Sequence, residues 1–334
     1  MIWNKGTLIE TSGNYWKSCT LHAGVKLDIF TIIGSGNKSS EEIAVKINGD
    51  LRGVAALLNA LTAMELLSKS EGRFSNTDFS KQFLSKDSPD YTGFIIMHHH
   101  HLVSSWAEMP ASVLSGNPNR VSASDTEKES ERESFLMGMF NMASGLAPMY
   151  AEILDLSDCA HLLDMGGGPG TYAIHFCLNN PELKATVFDL PTSRKFAEKT
   201  IASFDFSERI RFKEGSYLDE HTGLDQEYDA VWLSHILHGE GPEDAESIVA
   251  KAVNVLKPGG KILIHEFILD NTMDGPLFPA LFALNMLVGT DSGQAYSEAQ
   301  LREMLEKCNI SNIERLDVSS PNGAGIMIGV KPGK

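Results

Sequence analysis

Cysteine is scarce in this chain. Four thiols (Cys19, Cys159, Cys177, Cys308) are spread over 334 residues with no C-x-x-C pair. That spacing fits neither a disulfide framework nor a zinc site, so reduced and mostly buried thiols are expected. Long apolar runs are missing as well. No stretch approaches 18 consecutive apolar residues, and no membrane span is expected. Residues Met1 to Gly6 lack the apolar core of a secretory signal, so the expected compartment is the cytoplasm. Positive charge is in short supply: 28 Lys and Arg face 44 Asp and Glu, for a net charge of −16. Such a surface disfavours a phosphate backbone as partner, although the field inside a pocket can differ from the global one. No internal repeat or low-complexity tract stands out; the oddity is the run His98-His99-His100-His101. The apolar share of 42% supports a full core, and the length allows two domains or one large one.

What is present is a glycine-dense turn. Leu162-Leu163-Asp164-Met165-Gly166-Gly167-Gly168-Pro169-Gly170-Thr171 reads as an apolar strand ending in an acid, followed at once by glycines and a helical segment, Tyr172 to Leu178. A parallel α/β sheet builds a nucleotide-sized pocket in this way, because glycine lets the backbone turn tightly and approach a ligand. A dinucleotide site wants G-x-G-x-x-G or G-x-G-x-x-A. Here the third position falls on Thr171, and Asp164 would repel a pyrophosphate. The acid suits a ligand bearing an ammonium and a sulfonium, which is S-adenosylmethionine. A second acid, Asp189, ends the next apolar run 25 residues on, where a carboxylate can accept both ribose hydroxyl protons.

The expected fold class is α/β, a Rossmann-like sheet preceded by a mainly helical winged-helix domain. Residues 1–90 form the latter. An apolar stripe predicts a helix over Tyr15 to Ile33, Ser39 and Glu42 form a capping box, and Asp50 caps a helix through Met64. Glu71-Gly72 then joins two short strands, Leu66–Ser70 and Arg73–Asn76. Helices followed by a hairpin give the winged-helix order. This raises DNA binding as a rival, but the segment carries as many acids as bases, and a DNA reader should show a basic stripe. Burial in a subunit interface is the preferred use. Residues 91–155 read as helical linkers around a polar loop, Asn117 to Arg132. Residues 156–334 hold recurring strands at His161–Met165, Ala185–Asp189, Ile210–Glu214, Ala230–Ser234 and Lys261–Phe267, mostly separated by helices, hence a parallel sheet. After the helix Glu298–Lys307, runs at Asn312–Val318 and Gly325–Val330 bracket Pro321-Asn322-Gly323 as an antiparallel finish.

Taken together, these residues resemble the class I S-adenosylmethionine-dependent methyltransferases. More narrowly, nearly the whole chain resembles the small-molecule O-methyltransferases of plant caffeate and isoflavone type, of acetylserotonin type and of bacterial natural-product type. The motif Asp164 to Gly170 carries part of the likeness. Trp232-Leu233-Ser234-His235-Ile236-Leu237-His238 carries more, because it resembles the family's strand-4 motif, whose last histidine is the general base. The resemblance implies a homodimer through the N-terminal domain. It implies a cofactor site drawn from Asp164, Gly166, Gly168, Asp189, Leu190, Ser216, Tyr217 and Ser234. Met139 and Met286 match family positions on the acceptor side. The chain departs from the pattern after His238, where Gly239-Glu240 replaces Asp-Trp. Ser216 stands where an aspartate is common, Ser234 where a lysine is common, and Ala295 where the plant enzymes place a second acid.

Methyl transfer from a sulfonium is an in-line displacement, so the protein must position the nucleophile and take its proton. His238 lies just past strand 4, and an ordinary imidazole can accept a proton near neutral pH. Glu266, 28 residues later at the end of the next strand, is placed to hold the imidazole tautomer. His101 and Trp106 on one helix face, with His235, Met139, Phe140 and Met286, are the expected acceptor wall. His98 and His101 share a helix face, but no acidic triad or cysteine set lies nearby in sequence, and no metal is expected. A hydroxyl of a small molecule is the preferred acceptor. A small thiol, a non-methylating use of the fold, and a DNA-binding regulator with S-adenosylmethionine as effector are the alternatives.

Overall fold

The structure is a computed structural model that describes residues 2–121, 128–224, 227–318, 320 and 323–333. The chain divides into two compact units, Met1–Val103 with Glu133–Asn141, and Ser104–Arg132 with Met142–Lys334.

The first unit opens with α1 (Lys5–Gly13), which buries none of its residues. The expected single helix over Tyr15 to Ile33 is two helices, α2 (Tyr15–Lys26) and α3 (Ile29–Ile33). They break because Asp28 takes a left-handed conformation with φ of 56°, which no helix interior accommodates. A short strand β1 (Asn37–Ser39) precedes α4 (Ser40–Ile47), whose Ser39–Glu42 capping box forms. Asp50 caps α5 (Leu51–Ala63) through the Gly53 N–H at 3.0 Å. β2 (Leu67–Ser70) and β3 (Arg73–Asn76) pair antiparallel, and β1 joins them in the order β1-β3-β2. Phe30, Leu58, Leu61 and Phe74 sit in the core of this unit. α6 (Asp78–Phe83) follows, and α7 (Gly93–Ala107) carries the chain across the unit boundary.

Next come α8 (Met109–Ser115), α9 (Glu129–Ser144) and α10 (Ala147–Ile153). The polar loop expected over Asn117 to Arg132 is shorter than that, since α9 begins at Glu129. Asp125 and Glu127 lie outside the described residues.

The second unit is built on a seven-stranded sheet. Its strands are β4 (His161–Met165), β5 (Lys184–Asp189), β6 (Ile210–Glu214), β7 (Tyr228–Ser234), β8 (Leu256–Phe267), β9 (Ser311–Arg315) and β10 (Ala324–Val330). The spatial order is β6-β5-β4-β7-β8-β10-β9. The first five are parallel, and β10 runs antiparallel to both its neighbours. The expected turn residues Pro321 and Asn322 lie outside the described residues. The helices are α11 (Thr171–Asn179), α12 (Arg194–Ser203), α13 (Pro242–Asn254), α14 (Leu277–Gly289) and α15 (Glu298–Lys307). Strands buried on both faces read as apolar runs, and Leu162, Leu163, Val187, Val231, Leu233, Ile262 and Ile264 are fully buried here. The chain leaves β4 for β5 and β6 on one side, then returns to β7 on the other. That reversal opens a crevice at the carboxyl ends of β4 and β7, where open α/β sheets take their ligands. All four cysteines are unpaired, and among the described residues no helix is long and apolar enough to cross a membrane.

Candidate active site

Two buried carboxylates stand at the crevice, and their surroundings differ. Asp164, on β4, is 1% exposed. Both its oxygens are sealed from solvent without a hydrogen-bond partner. Burial pushes its pKa up to about 7. The turn after it is glycine by necessity: Gly166, Gly168 and Gly170 all have positive φ. A Cβ on Gly166 would meet the Ile236 side chain at 2.5 Å, and one on Gly167 would meet the Asp164 carboxyl at 2.6 Å. The result is a bare backbone cradle around an orphaned acid. That donor set fits a cationic nucleoside ligand such as S-adenosylmethionine, whose ammonium is the counter-charge Asp164 lacks.

Asp189, at the end of β5, is tied into the same turn. Its Oδ2 accepts from the Gly168 N–H at 2.8 Å, and its Oδ1 accepts from the Leu190 N–H and the Ser193 hydroxyl, both at 2.7 Å. These bonds aim the carboxylate and leave Oδ2 capacity for a further donor. Burial raises its pKa against the pull of those bonds. Ser216, half-buried after β6, accepts the Leu218 N–H at 3.1 Å. The Tyr217 ring lies beside Gly166. The Ser234 hydroxyl is 2.9 Å from His265 Nδ1, and His265 Nε2 is 3.2 Å from the Tyr150 hydroxyl. His265 is therefore a packed, hydrogen-bonded histidine. It stacks on Trp232, and burial holds its pKa well below the ordinary imidazole value.

The second carboxylate is fully partnered. Glu266, on β8 next to β7, is 2% exposed. Its Oε1 accepts the backbone N–H of Leu237 at 2.9 Å and of His238 at 3.3 Å; its Oε2 lies 2.7 Å from His238 Nδ1. Burial works to raise its pKa, but the charges and hydrogen bonds of His238 and His235 outweigh it and hold the group well below the usual carboxylate range. An ionised Glu266 puts the imidazole proton on Nδ1 and leaves Nε2 as the free acceptor. His235 Nδ1 is 3.6 Å from the same Oε2. His235 is held in a left-handed conformation, φ 55°, a strain that clusters at functional sites. The ligand atoms of His235, His238 and Glu266 lie within 4.8 Å of one another.

Aromatic rings cover the pair. Phe282, on α14, stands 4.7 Å from the His238 ring; Phe267 stands 4.2 Å from the His235 ring and 4.5 Å from Phe282. Phe278 extends this wall at 5.0 Å from Phe267. No sequence motif marks these phenylalanines as part of the site. Phe282 sits on a helix that is apolar apart from Asn285, so its pattern hides which face points inward.

The other expected residues are divided between the two units. Trp106 is half-buried and donates from Nε1 to Asn285 Oδ1 at 3.2 Å. Met286 is buried in α14. His101, Met139 and Phe140 are half-buried residues of the first unit. In that unit the histidine run packs internally: His100 Nε2 lies 2.9 Å from Lys26 Nζ, and His98 packs on Phe135.

A glycine cradle at β4, an acid ending β5 and an imidazole–carboxylate pair across β7 and β8 stand together at the carboxyl edge of a class I methyltransferase sheet. Residues 115–309 match the O-methyltransferase domain, and residues 9–86 match the O-methyltransferase dimerisation domain. A 3-hydroxy-5-methyl-1-naphthoate 3-O-methyltransferase of Streptomyces sahachiroi is 31% identical over 97% of this chain and 94% of its own length. Among solved structures, an O-methyltransferase family protein from Burkholderia thailandensis superimposes with a TM-score of 0.89, at 25% identity, over 100% of this chain and 99% of that one. Human N-acetylserotonin methyltransferase in complex with S-adenosylmethionine does so with a TM-score of 0.86, at 23% identity, over 99% of each. The chain belongs to the O-methyltransferase family, and it is an S-adenosylmethionine-dependent methyltransferase of small molecules.

Proposed function

We propose that the chain methylates a hydroxyl on a small, flat aromatic acceptor, with His238 as general base and Glu266 as its positioning partner. The observation that carries this reading is the buried 2.7 Å contact between His238 Nδ1 and Glu266 Oε2, roofed by Phe267 and Phe282. Asp164 would hold the ammonium of S-adenosylmethionine and Asp189 its ribose. Gly166, Gly168, Leu190, Ser216, Tyr217 and Ser234 would line the rest of its site. When bound, that cofactor supplies an already activated methyl group. His238 Nε2 takes the acceptor's hydroxyl proton, and Glu266 stabilises the imidazolium that forms. A phenol needs less help than an aliphatic alcohol, since its pKa is about 10. The ring wall supports a flat acceptor by stacking and edge contacts, and a relative named for a hydroxynaphthoate agrees with it. The O-methyltransferase match favours oxygen over the thiol and non-methylating alternatives.

We also infer a homodimer through a winged-helix-like segment, residues 1–90. The dimerisation-domain match and the exposed Trp3, Leu8, Ile9, Tyr15 and Trp16 support it. Residues 91–155 are read as a helical linker and 156–334 as the catalytic domain. A panel of hydroxyarenes, scored for S-adenosylhomocysteine release by wild type and His238→Ala, tests the mechanism. Undiminished release by the variant removes His238 from it.

A further inference from the structure

Arg120 is a half-buried cation that pairs with no carboxylate among the described residues. Its Nη2 donates to Asn285 Oδ1 at 3.2 Å and to the Asn285 carbonyl at 3.4 Å. Its Nε is sealed from solvent and has no partner. Among the described residues no carboxylate stands within ion-pair distance of it, and burial alone lowers its pKa. A guanidinium presents five N–H donors in a rigid fork, and leaving them unmatched away from water is unfavourable. This chain nevertheless builds a seat for it. Gly289, the last residue of α14, provides the room: a Cβ there would collide with the guanidinium. The preceding residue is pinned, since the Asn119 N–H donates to the Val288 carbonyl at 3.1 Å and its side chain donates to the Ser105 carbonyl at 3.0 Å. Trp106 donates to the same Asn285 oxygen that Arg120 uses.

The seat lies along α14 from the base. Phe282, whose ring contacts His238, is three residues before Asn285 and so shares its helix face, about 4.5 Å away along the axis. The geometry points to Arg120 as the anchor for a carboxylate on the acceptor, whose ring then lies along Phe282 with its hydroxyl at His238. The inference rests on the proposed aromatic acceptor and adds an anionic group to it. With a net charge of −16 the protein repels small anions at long range, so such an acceptor requires a local cation. The planar fork of Arg matches a carboxylate with two parallel hydrogen bonds.

The test separates the anion site from methyl transfer. The protein loaded with S-adenosylhomocysteine is titrated calorimetrically with 2-naphthoate, which has no hydroxyl, and with neutral 2-naphthamide. The acid is expected to bind about 10- to 100-fold more tightly than the amide, the scale of a charge-assisted hydrogen-bonded pair. R120Q should erase that preference and R120K should keep part of it, both with unchanged S-adenosylhomocysteine affinity as the sign of an intact fold. A wild type that does not distinguish acid from amide, or an R120Q that binds naphthoate as well as wild type, overturns the proposal. In turnover, 6-hydroxy-2-naphthoate should beat its methyl ester through KM rather than kcat, because the anchor is equally made in ground and transition states. Acid-selective binding with no methylation of any hydroxyarene would stand against the base reading while leaving the anion site in place. Equal turnover of acid and ester would remove Arg120 alone.

Discussion

Asp164 makes cofactor affinity depend on pH in a direction that can be worked out. Its carboxyl is buried with both oxygens unpartnered, and its pKa is pushed up to about 7. A cationic ligand pairs with the carboxylate and not with the acid. The apparent dissociation constant therefore scales as one plus the ratio of protonated to ionised Asp164. That factor is about 11 at pH 6 and about 1.1 at pH 8, so affinity should weaken roughly tenfold between them, or about 1.4 kcal/mol. Binding should also release about 0.9 proton at pH 6 and about 0.1 at pH 8. Titration calorimetry with S-adenosylhomocysteine in two buffers of different ionisation enthalpy reads both quantities. Asp164→Asn should flatten the pH dependence and weaken binding at pH 8 by about 10- to 100-fold. The stability of the ligand-free protein moves the other way. Asp164 holds its proton to higher pH when folded than when unfolded, so its contribution to stability is present below the ordinary aspartate pKa and is lost as pH rises toward 7. Constant wild-type affinity from pH 6 to pH 8 would refute the whole chain of reasoning.

Three further outcomes are expected. His238→Ala should cut turnover by about 10²- to 10⁴-fold while S-adenosylhomocysteine binding, followed by calorimetry, stays nearly unchanged. Glu266→Gln should lower kcat by a similar factor, about 10²- to 10⁴-fold, because its amide N–H₂ facing Nδ1 forces the proton onto Nε2, where the base is needed; a kcat within about threefold of wild type would exclude the tautomer role. Gly166→Ala should destabilise the fold by about 1–3 kcal/mol in urea titration, since it combines a φ of 72° with a collision at Ile236.

The parallel strands were legible because strands buried on both faces leave uninterrupted apolar runs, and β4 through β7 fall within two residues of their expected bounds. The Ser39–Glu42 box and the Asp50 cap were legible because capping is a local hydrogen-bond pattern. Among the departures, α1 was missed and β8 was foreshortened, for opposite reasons. α1 buries nothing and so carries no apolar stripe. β8 begins at Leu256, because Lys257-Pro258-Gly259-Gly260 looks like a turn in sequence yet joins the strand, with the Gly259 N–H bonded to the Lys331 carbonyl. At the site, His238 and Glu266 could be paired from strand adjacency alone. Arg120 could not, because its partner Asn285 is 165 residues away and a lone arginine carries no sequence signal of burial. The same holds for Phe282, whose inward placement depends on how α14 rotates against β8.

The two buried carboxylates show why composition could not assign their roles. Asp164 and Glu266 are both removed from water near the ends of the parallel strands that flank β7, 1% and 2% exposed. Desolvation pushes both upward, toward the neutral acid. Glu266 escapes because β7 turns into a short helical segment directly beneath it. Two backbone N–H groups and two imidazoles are thereby aimed at its oxygens. Asp164 does not escape, because the glycine turn that follows it directs its N–H groups elsewhere: to the Phe188 carbonyl from Gly166, and to Asp189 from Gly168. One carboxylate is thus permanently charged by the protein and suited to hold an imidazole in one tautomer. The other is left to be charged by whatever cation arrives. Environments that drive two like groups apart in pKa separate their chemical tasks. Here the separation follows from where the chain turns after each strand, so exchanging Asp164 for Glu would lengthen the orphan without giving it a partner and should leave the pH dependence of binding in place.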